Sequence, residues 1–245
     1  MKLLCCVTYK GTNYQGWQKQ PDAPTIQGEV EKVLSQILNT KIDTFGSGRT
    51  DAGVHAINQY FHFETEKDVD IDKFRYSVNC LLPEGIFLKE IMVVDDDFHA
   101  RYNAKGKIYC YKIRFGERNP LTNDLETNIP YELDGNLLTE SLKKYVGTHN
   151  FRDFTSKEED QDGFVRTIDE VTTHFDESDD TFEIIFKGNG FMRYQIRFMV
   201  GTAIAIASHQ EEINYLDYHL SEKGNREIVS YKAEPQGLYL VDVQY

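Results

Sequence analysis

Apolar positions change their period several times along this chain, and each change marks an element. Residues 2–9, Lys-Leu-Leu-Cys-Cys-Val-Thr-Tyr, make a short apolar run that predicts a buried strand. Lys10-Gly11-Thr12-Asn13 punctuates it, and the stretch from Pro21 to Pro24 marks a further loop. Ile26, Val30, Val33, Leu34, Ile37 and Leu38 then recur at helical spacing, with Thr25 placed to cap the first turn. Residues 57–63 alternate as a strand. Asp70 is positioned to cap a short helix through Cys80, which Pro83 must follow as a stop.

Strand-like runs follow at 86–94 and 108–115. Residues 137–146 read as a helix stopped by Gly147. The runs 165–175 and 182–187 predict a hairpin across the polar turn 176–180. Residues 191–207 read as a helix with Ile196, Met199, Val200, Ala203 and Ile204 on one face, and residues 238–245 as a strand. Strands and helices mix without strict βα alternation, which favours an α+β fold with antiparallel pairing. At 245 residues and 40% hydrophobic content, the chain can fill one large core or two smaller ones. Neither a low-complexity linker nor a short-period repeat stands out. We expect two halves, 1–120 and 121–245, meeting within 119–134.

Charge narrows the field. A net charge of −13 argues against a bulk polyanion binder, because nucleic-acid domains usually present a basic face. The charges are segregated, however. Acids cluster at Asp95-Asp96-Asp97, at Glu158-Glu159-Asp160 and through 176–180, whereas the span 101–118 holds Arg101, Lys105, Lys107, Lys112, Arg114 and Arg118 against the single acid Glu117. Lys187, Arg193 and Arg197 form a second basic group. A polyanion can therefore meet local positive charge on an acidic protein, although an ordinary solvated face explains any one cluster equally well.

Cys5, Cys6, Cys80 and Cys110 show no metal-ligand spacing, which fits a reducing compartment and predicts no metal site. The apolar start is too short for an export signal and no run reaches membrane-span length, so the expected location is cytoplasmic.

The chemistry concentrates in Gly46-Ser47-Gly48-Arg49-Thr50-Asp51-Ala52-Gly53-Val54-His55-Ala56. Glycines here allow positive φ and close approach of a backbone or ligand around Asp51. Composition alone fits a tight turn whose Asp bonds its own backbone as well as it fits a displayed reactive carboxylate. Such a carboxylate can attack an anomeric carbon or act as a base, but glycosidases pair it with a second acid, and none stands out here. Cations keep it company instead: Arg49 nearby in sequence, and Arg197 on the predicted 191–207 helix. Tyr109 and Tyr111 alternate in Lys107-Ile108-Tyr109-Cys110-Tyr111 and so share a strand face, either packing a sheet or stacking on bases. Trp17 poses the same choice between core anchor and stacking platform.

Over essentially its full length the chain resembles the TruA-type family of tRNA pseudouridine synthases. Asn13-Tyr14-Gln15-Gly16-Trp17-Gln18 is similar to that family's N-terminal signature, and the nine residues from Gly48 to Ala56 to its catalytic loop. Phe98-His99-Ala100-Arg101, Lys107-Ile108-Tyr109-Cys110-Tyr111, Gly147-Thr148-His149-Asn150-Phe151, Gly188-Asn189-Gly190-Phe191-Met192-Arg193-Tyr194-Gln195-Ile196-Arg197 and Gly237-Leu238-Tyr239-Leu240 continue the likeness.

The resemblance implies isomerisation of uridine to pseudouridine in the tRNA anticodon stem-loop (positions 38–40), without a cofactor. It implies Asp51 as the catalytic aspartate, Tyr109 as the base-stacking ring and Arg49 as the arginine that helps extrude the target. Arg197 falls where the family places the aspartate's ion-pair partner, and Leu238 where it packs an apolar side chain under the site. The implied fold is two similar halves, each a mainly antiparallel sheet with helices on one face, joined into a continuous sheet with a central RNA-binding cleft. The implied assembly is a homodimer.

The chain departs from the family at Tyr231-Lys232-Ala233-Glu234-Pro235-Gln236, where a Thr-Ala-Pro-Pro-like stretch is usual, and that departure bears on substrate choice. The alternative is a non-catalytic RNA-binding protein or chaperone of the same fold. Presence of Asp51, Tyr109 and Arg197 together argues against it.

Overall fold

The computed structural model describes residues 1–159, 163–221 and 225–245; Asp160 of the second acidic block lies outside them. In chain order the elements are β1 (Lys2–Tyr9), α1 (Ile26–Leu38), β2 (Phe45–Gly46), β3 (His55–Glu64), α2 (Ile71–Leu81), β4 (Ile86–Val94) and β5 (Gly106–Phe115). There follow β6 (Thr127–Ile129), α3 (Gly135–Lys143), β7 (Gly147–Asn150), β8 (Val165–Asp176), β9 (Thr181–Gly188), α4 (Gln195–Ala207), α5 (Asn214–Leu220) and β10 (Leu238–Gln244). The fold is α+β with mostly antiparallel strands, as the mixed element order predicts. No helix among the described residues is long and apolar enough to cross a membrane.

The chain divides into two compact units, Met1–Lys105 with Tyr239–Tyr245, and Gly106–Leu238. Chain contacts thus group β5 with the second unit, whereas the division expected within 119–134 keeps it in the first.

In the first unit the strand order is β4-β1-β3-β10. β1 pairs antiparallel with β3 and β4, setting Leu3 opposite Phe63 and Cys5 opposite Phe61. The far edge of β3 is shared: β2 pairs antiparallel at His62 and Phe61, and β10 pairs parallel at His55 and Ala56. Leu3, Cys5, Val7, Phe61 and Phe63 are fully buried, and so are Ile26 and Leu34 of α1. Leu4 and Cys6 on the opposite face of β1 are buried too. Both faces are therefore covered, which is why β1 reads as a continuous apolar run rather than an alternation. Thr25 accepts from Gly28 N–H and Asp70 from Lys73 N–H, so α1 and α2 begin where their caps predict.

In the second unit β5, β9, β8 and β7 form an antiparallel array in that order, with β6 parallel to β5. β8 and β9 are the predicted hairpin. α3 and α4 differ from their predicted bounds. α3 begins at Gly135 because Asp134 accepts from the N–H groups of both Asn136 and Leu137, and it ends at Lys143 rather than 146. α4 begins at Gln195 rather than 191, because Tyr194 sits in the left-handed region at φ 63° and breaks the helical path. Its expected single apolar face is also corrected: α4 is buried nearly all round, and Ile204 is its one partly exposed position. Met199, Val200 and Ala203 of α4, with Ile184, Phe186, Tyr145, Phe151 and Phe154, are among the fully buried side chains of this unit. Tyr145 Oη donates to the Met199 carbonyl at 2.9 Å.

Candidate active site

The loop 47–54 leaves β2 and enters β3, and it is pinned along its length. Ser47 N–H donates to Tyr60 O at 2.7 Å, and Ser47 Oγ to Gln59 Oε1 at 2.6 Å. Gln59 Nε2 returns a bond to Gly48 O at 3.1 Å. Buried Thr50 is held twice, its carbonyl by Trp17 N–H at 3.1 Å and its hydroxyl by the Tyr9 hydroxyl at 2.8 Å. Gly53 N–H donates to Tyr14 O at 3.3 Å, and Val54 N–H to Asp51 O at 3.2 Å. Asp51 itself is half-buried between these anchors. Rigid backbone on both sides is what a precisely aimed carboxylate requires.

Gly16 makes this docking possible. It adopts φ +86°, and a Cβ there would stand 2.5 Å from the Thr50 carbonyl oxygen. The N-terminal signature therefore braces the Asp51 loop, and Trp17, at 1% exposed, is its core anchor rather than a stacking platform. The Trp17 ring lies 6.0 Å from that of Tyr9 and 5.9 Å from that of Phe61. Exposed Arg49 shares the Asp51 loop and donates from Nε to Gln18 Oε1 at 3.1 Å. His55, buried where the loop ends, accepts from Gly11 N–H at 3.1 Å through Nδ1 and stacks on Tyr239 at 4.7 Å. Tyr9, Gln59 and His55 escape notice in the sequence because nothing local marks a residue that acts by holding another.

The second unit holds Tyr109, Arg197 and Leu238. Tyr109 and Tyr111 on β5 are both buried but serve different ends. Tyr111 Oη donates to the Glu234 carbonyl at 2.8 Å and bonds the Thr127 hydroxyl at 2.7 Å, and burial raises its phenol well above the usual range. It packs the sheet. Tyr109 meets Phe191 edge-on at 5.3 Å. Burial also pushes the neighbouring Cys110 thiol up to about 12, so it stays protonated.

Arg197, in the first turn of α4, is buried and donates from Nε to Ala233 O at 2.8 Å, while Ala233 N–H returns a bond to Arg197 O at 2.9 Å. Its guanidinium lies 5.3 Å from the Tyr194 ring centroid. Leu238 is 5% exposed at the start of β10. Gly237 precedes it because a Cβ there would stand 2.7 Å from Lys112 O and 2.8 Å from the Tyr111 ring. Glu234 gives its carbonyl to Tyr111 and leaves its side chain exposed.

The basic span 101–118 is only partly available to a polyanion. Buried Arg114 is paired with Glu126, and with Asp179 at 2.9 Å. Lys112 is paired with Glu183 at 2.7 Å. Both belong to the architecture of the second unit.

The tRNA pseudouridine synthase family matches the chain over residues 5–103 and 142–245, so both units carry its pattern. The chain belongs to this family, isomerases that convert uridine to pseudouridine in tRNA. Its relatives include tRNA pseudouridine synthase A of Geobacillus sp. (strain WCH70), 38% identical over 100% of this chain and 98% of the relative. The enzymes of that name from Staphylococcus aureus (strain MRSA252) and Streptococcus sanguinis (strain SK36) are 35% and 37% identical. Each alignment covers 98% of this chain, and 90% and 96% of the respective relative. Among solved structures, an archaeal box H/ACA sRNP Nop10–Cbf5 complex aligns over 82% of this chain and 44% of its own, at 13% identity and a TM-score of 0.37.

Proposed function

We propose that this chain isomerises uridine at positions 38–40 of the tRNA anticodon stem-loop, with Asp51 as the catalytic carboxylate. The observation that carries the reading is the loop itself: a half-buried carboxylate between Thr50, bonded through backbone and hydroxyl, and Gly53, bonded to the N-terminal signature. The net change breaks the N1–C1′ bond, joins C5 to C1′, releases the C5 proton and protonates N1. It involves no net oxidation and its atoms balance without a co-reactant.

Asp51 begins as the anion, whether it attacks C1′, attacks C6 or removes the 2′ proton. In the same proposal Arg197 is its counter-ion and Tyr109 stacks on the uracil. Arg49, exposed on the same loop, fills the space the extruded nucleotide leaves, and Leu238 closes the apolar floor. Extrusion costs a few kcal/mol of lost stacking, which Tyr109 and Arg49 offset. Exclusion of water then prevents loss of the freed base. The reading carries with it a central RNA-binding cleft, a cytoplasmic location and a homodimer in which one tRNA touches both subunits.

The test is tritium release from [5-³H]uridine in a tRNA transcript. Wild-type protein releases tritium and Asp51→Ala does not. Turnover by Asp51→Ala would remove the site assignment. Tight tRNA binding by a wild-type protein that releases none would favour the non-catalytic reading.

A further inference from the structure

Three cations surround one ring at the start of α4. The Tyr194 centroid lies 4.8 Å from the Arg193 guanidinium carbon, 5.3 Å from that of Arg197 and 4.7 Å from Lys232 Nζ. Arg193 also donates to Tyr194 Oη at 2.9 Å. Arg197 is buried and bonded to Ala233, whereas Arg193 and Lys232 are exposed. Among the described residues, the contacts of Arg193 and Lys232 side chains are to rings and a phenol, not to a carboxylate. Like charges gathered this closely repel, and a ring face offsets only part of that cost.

Two features of the backbone show that the gathering is built. Tyr194 holds φ +63°, a region unfavourable for a bulky side chain that persists only where surrounding structure enforces it. Gly201 lets residues 231–233 lie against α4, since a Cβ there would stand 2.7–2.8 Å from their backbone, and the reciprocal Arg197–Ala233 bonds lock that strap in place. The strap carries Lys232 to the ring. α4 has no acidic residue in its first turn, so the positive end of its dipole adds to the same field.

We infer that the rim of Tyr194 is a phosphodiester-binding site, in which Arg193 and Lys232 hold the tRNA backbone at the start of α4. The inference rests on tRNA being the substrate and deepens that reading. The ring gathers the cations and is not a base-stacking platform, because cations already lie against it. The departure from the family at 231–236 thereby gains a purpose, since Lys232 lies within it.

The test measures tRNA affinity against salt concentration, with tritium release in parallel, for Arg193→Gln, Lys232→Gln and the double variant. Each neutralised phosphate contact contributes a slope of about 0.7–0.9 in log affinity against log salt. Each single variant should lower the slope by about one contact and the double by about two, with the loss in turnover falling on KM rather than kcat. Arg193→Lys and Lys232→Arg should restore the slope. An unchanged slope overturns the inference, and so does a fall in kcat at unchanged slope, which would mark a merely structural role. The binding arm does not involve Asp51. Should Asp51→Ala remain active while these slopes change as expected, the catalytic assignment fails and the phosphate site stands.

Discussion

His62 shows what a single buried residue contributes beyond packing. It is 3% exposed, stacks on Phe45 at 5.1 Å and meets His99 edge-on at 4.7 Å. Its Nδ1 accepts from Ala100 N–H at 3.1 Å, which requires a neutral ring with its proton on Nε2. Burial first, then the nearby His99 and Lys2, pushes its pKa down to about 4, against partial relief from Glu64. Because the folded value lies below that of the unfolded chain, the unfolded state binds the extra proton between about pH 6.5 and 4. The contribution is therefore complete above pH 6.5 and is lost as pH falls towards 4, on the order of 3 kcal/mol in all. Urea unfolding at pH 7 and pH 5 should show wild type losing more stability than His62→Gln over that interval. Equal losses would place the acid sensitivity elsewhere.

Elements are set by caps and by burial, and the two were unequally legible. Asp134 caps α3 through two N–H groups, so Asp134→Ala should cost about 1 kcal/mol of stability by chemical denaturation and leave the salt dependence of tRNA binding unchanged. Caps such as Thr25 and Asp70 act over three residues, so the first turns of α1 and α2 can be read locally. Periodicity starts α3 at 137 because Gly135 disfavours a helix, whereas the Asp134 cap starts it at Gly135. α4 was set early because the conformation of Tyr194 is imposed by tertiary contacts that no periodicity records. β2, β6 and β7 have four residues or fewer, too short to display a period of two, and α5 has only seven. In the site, Asp51, Arg49, Tyr109, Arg197 and Leu238 were picked out by likeness to a family, since local composition left Asp51 open between turn and catalyst. The residues that aim the loop, Tyr9, Gln59 and Gly16, were assigned that work only by the contacts they make across the fold.

The molecule as a whole is acidic, and its substrate is a polyanion. Asp95, Asp96 and Asp97 are exposed, with Arg101 a few residues further along the chain. Their field reaches only about 8 Å at physiological salt and fades further as salt rises. Replacing all three by Asn should tighten tRNA binding several-fold at low salt and change it little at high salt, as titrations at the two conditions would show. Tightening that persists at high salt would point to a direct contact instead of a field. Net acidity of this kind tempers non-specific attraction to nucleic acid.

β10 carries a consequence for the order in which the protein is made. Tyr239 and Leu240 splint His55 and Ala56, the stretch where the Asp51 loop becomes a strand, yet they are translated only after the whole of the second unit. A nascent chain that has not reached them carries Asp51 on a loop whose exit, at His55 and Ala56, lacks its β10 partner, although β2 already pairs further along the same edge. Competence should therefore arrive late in synthesis, leaving ribosome-bound fragments unable to modify the tRNAs around them.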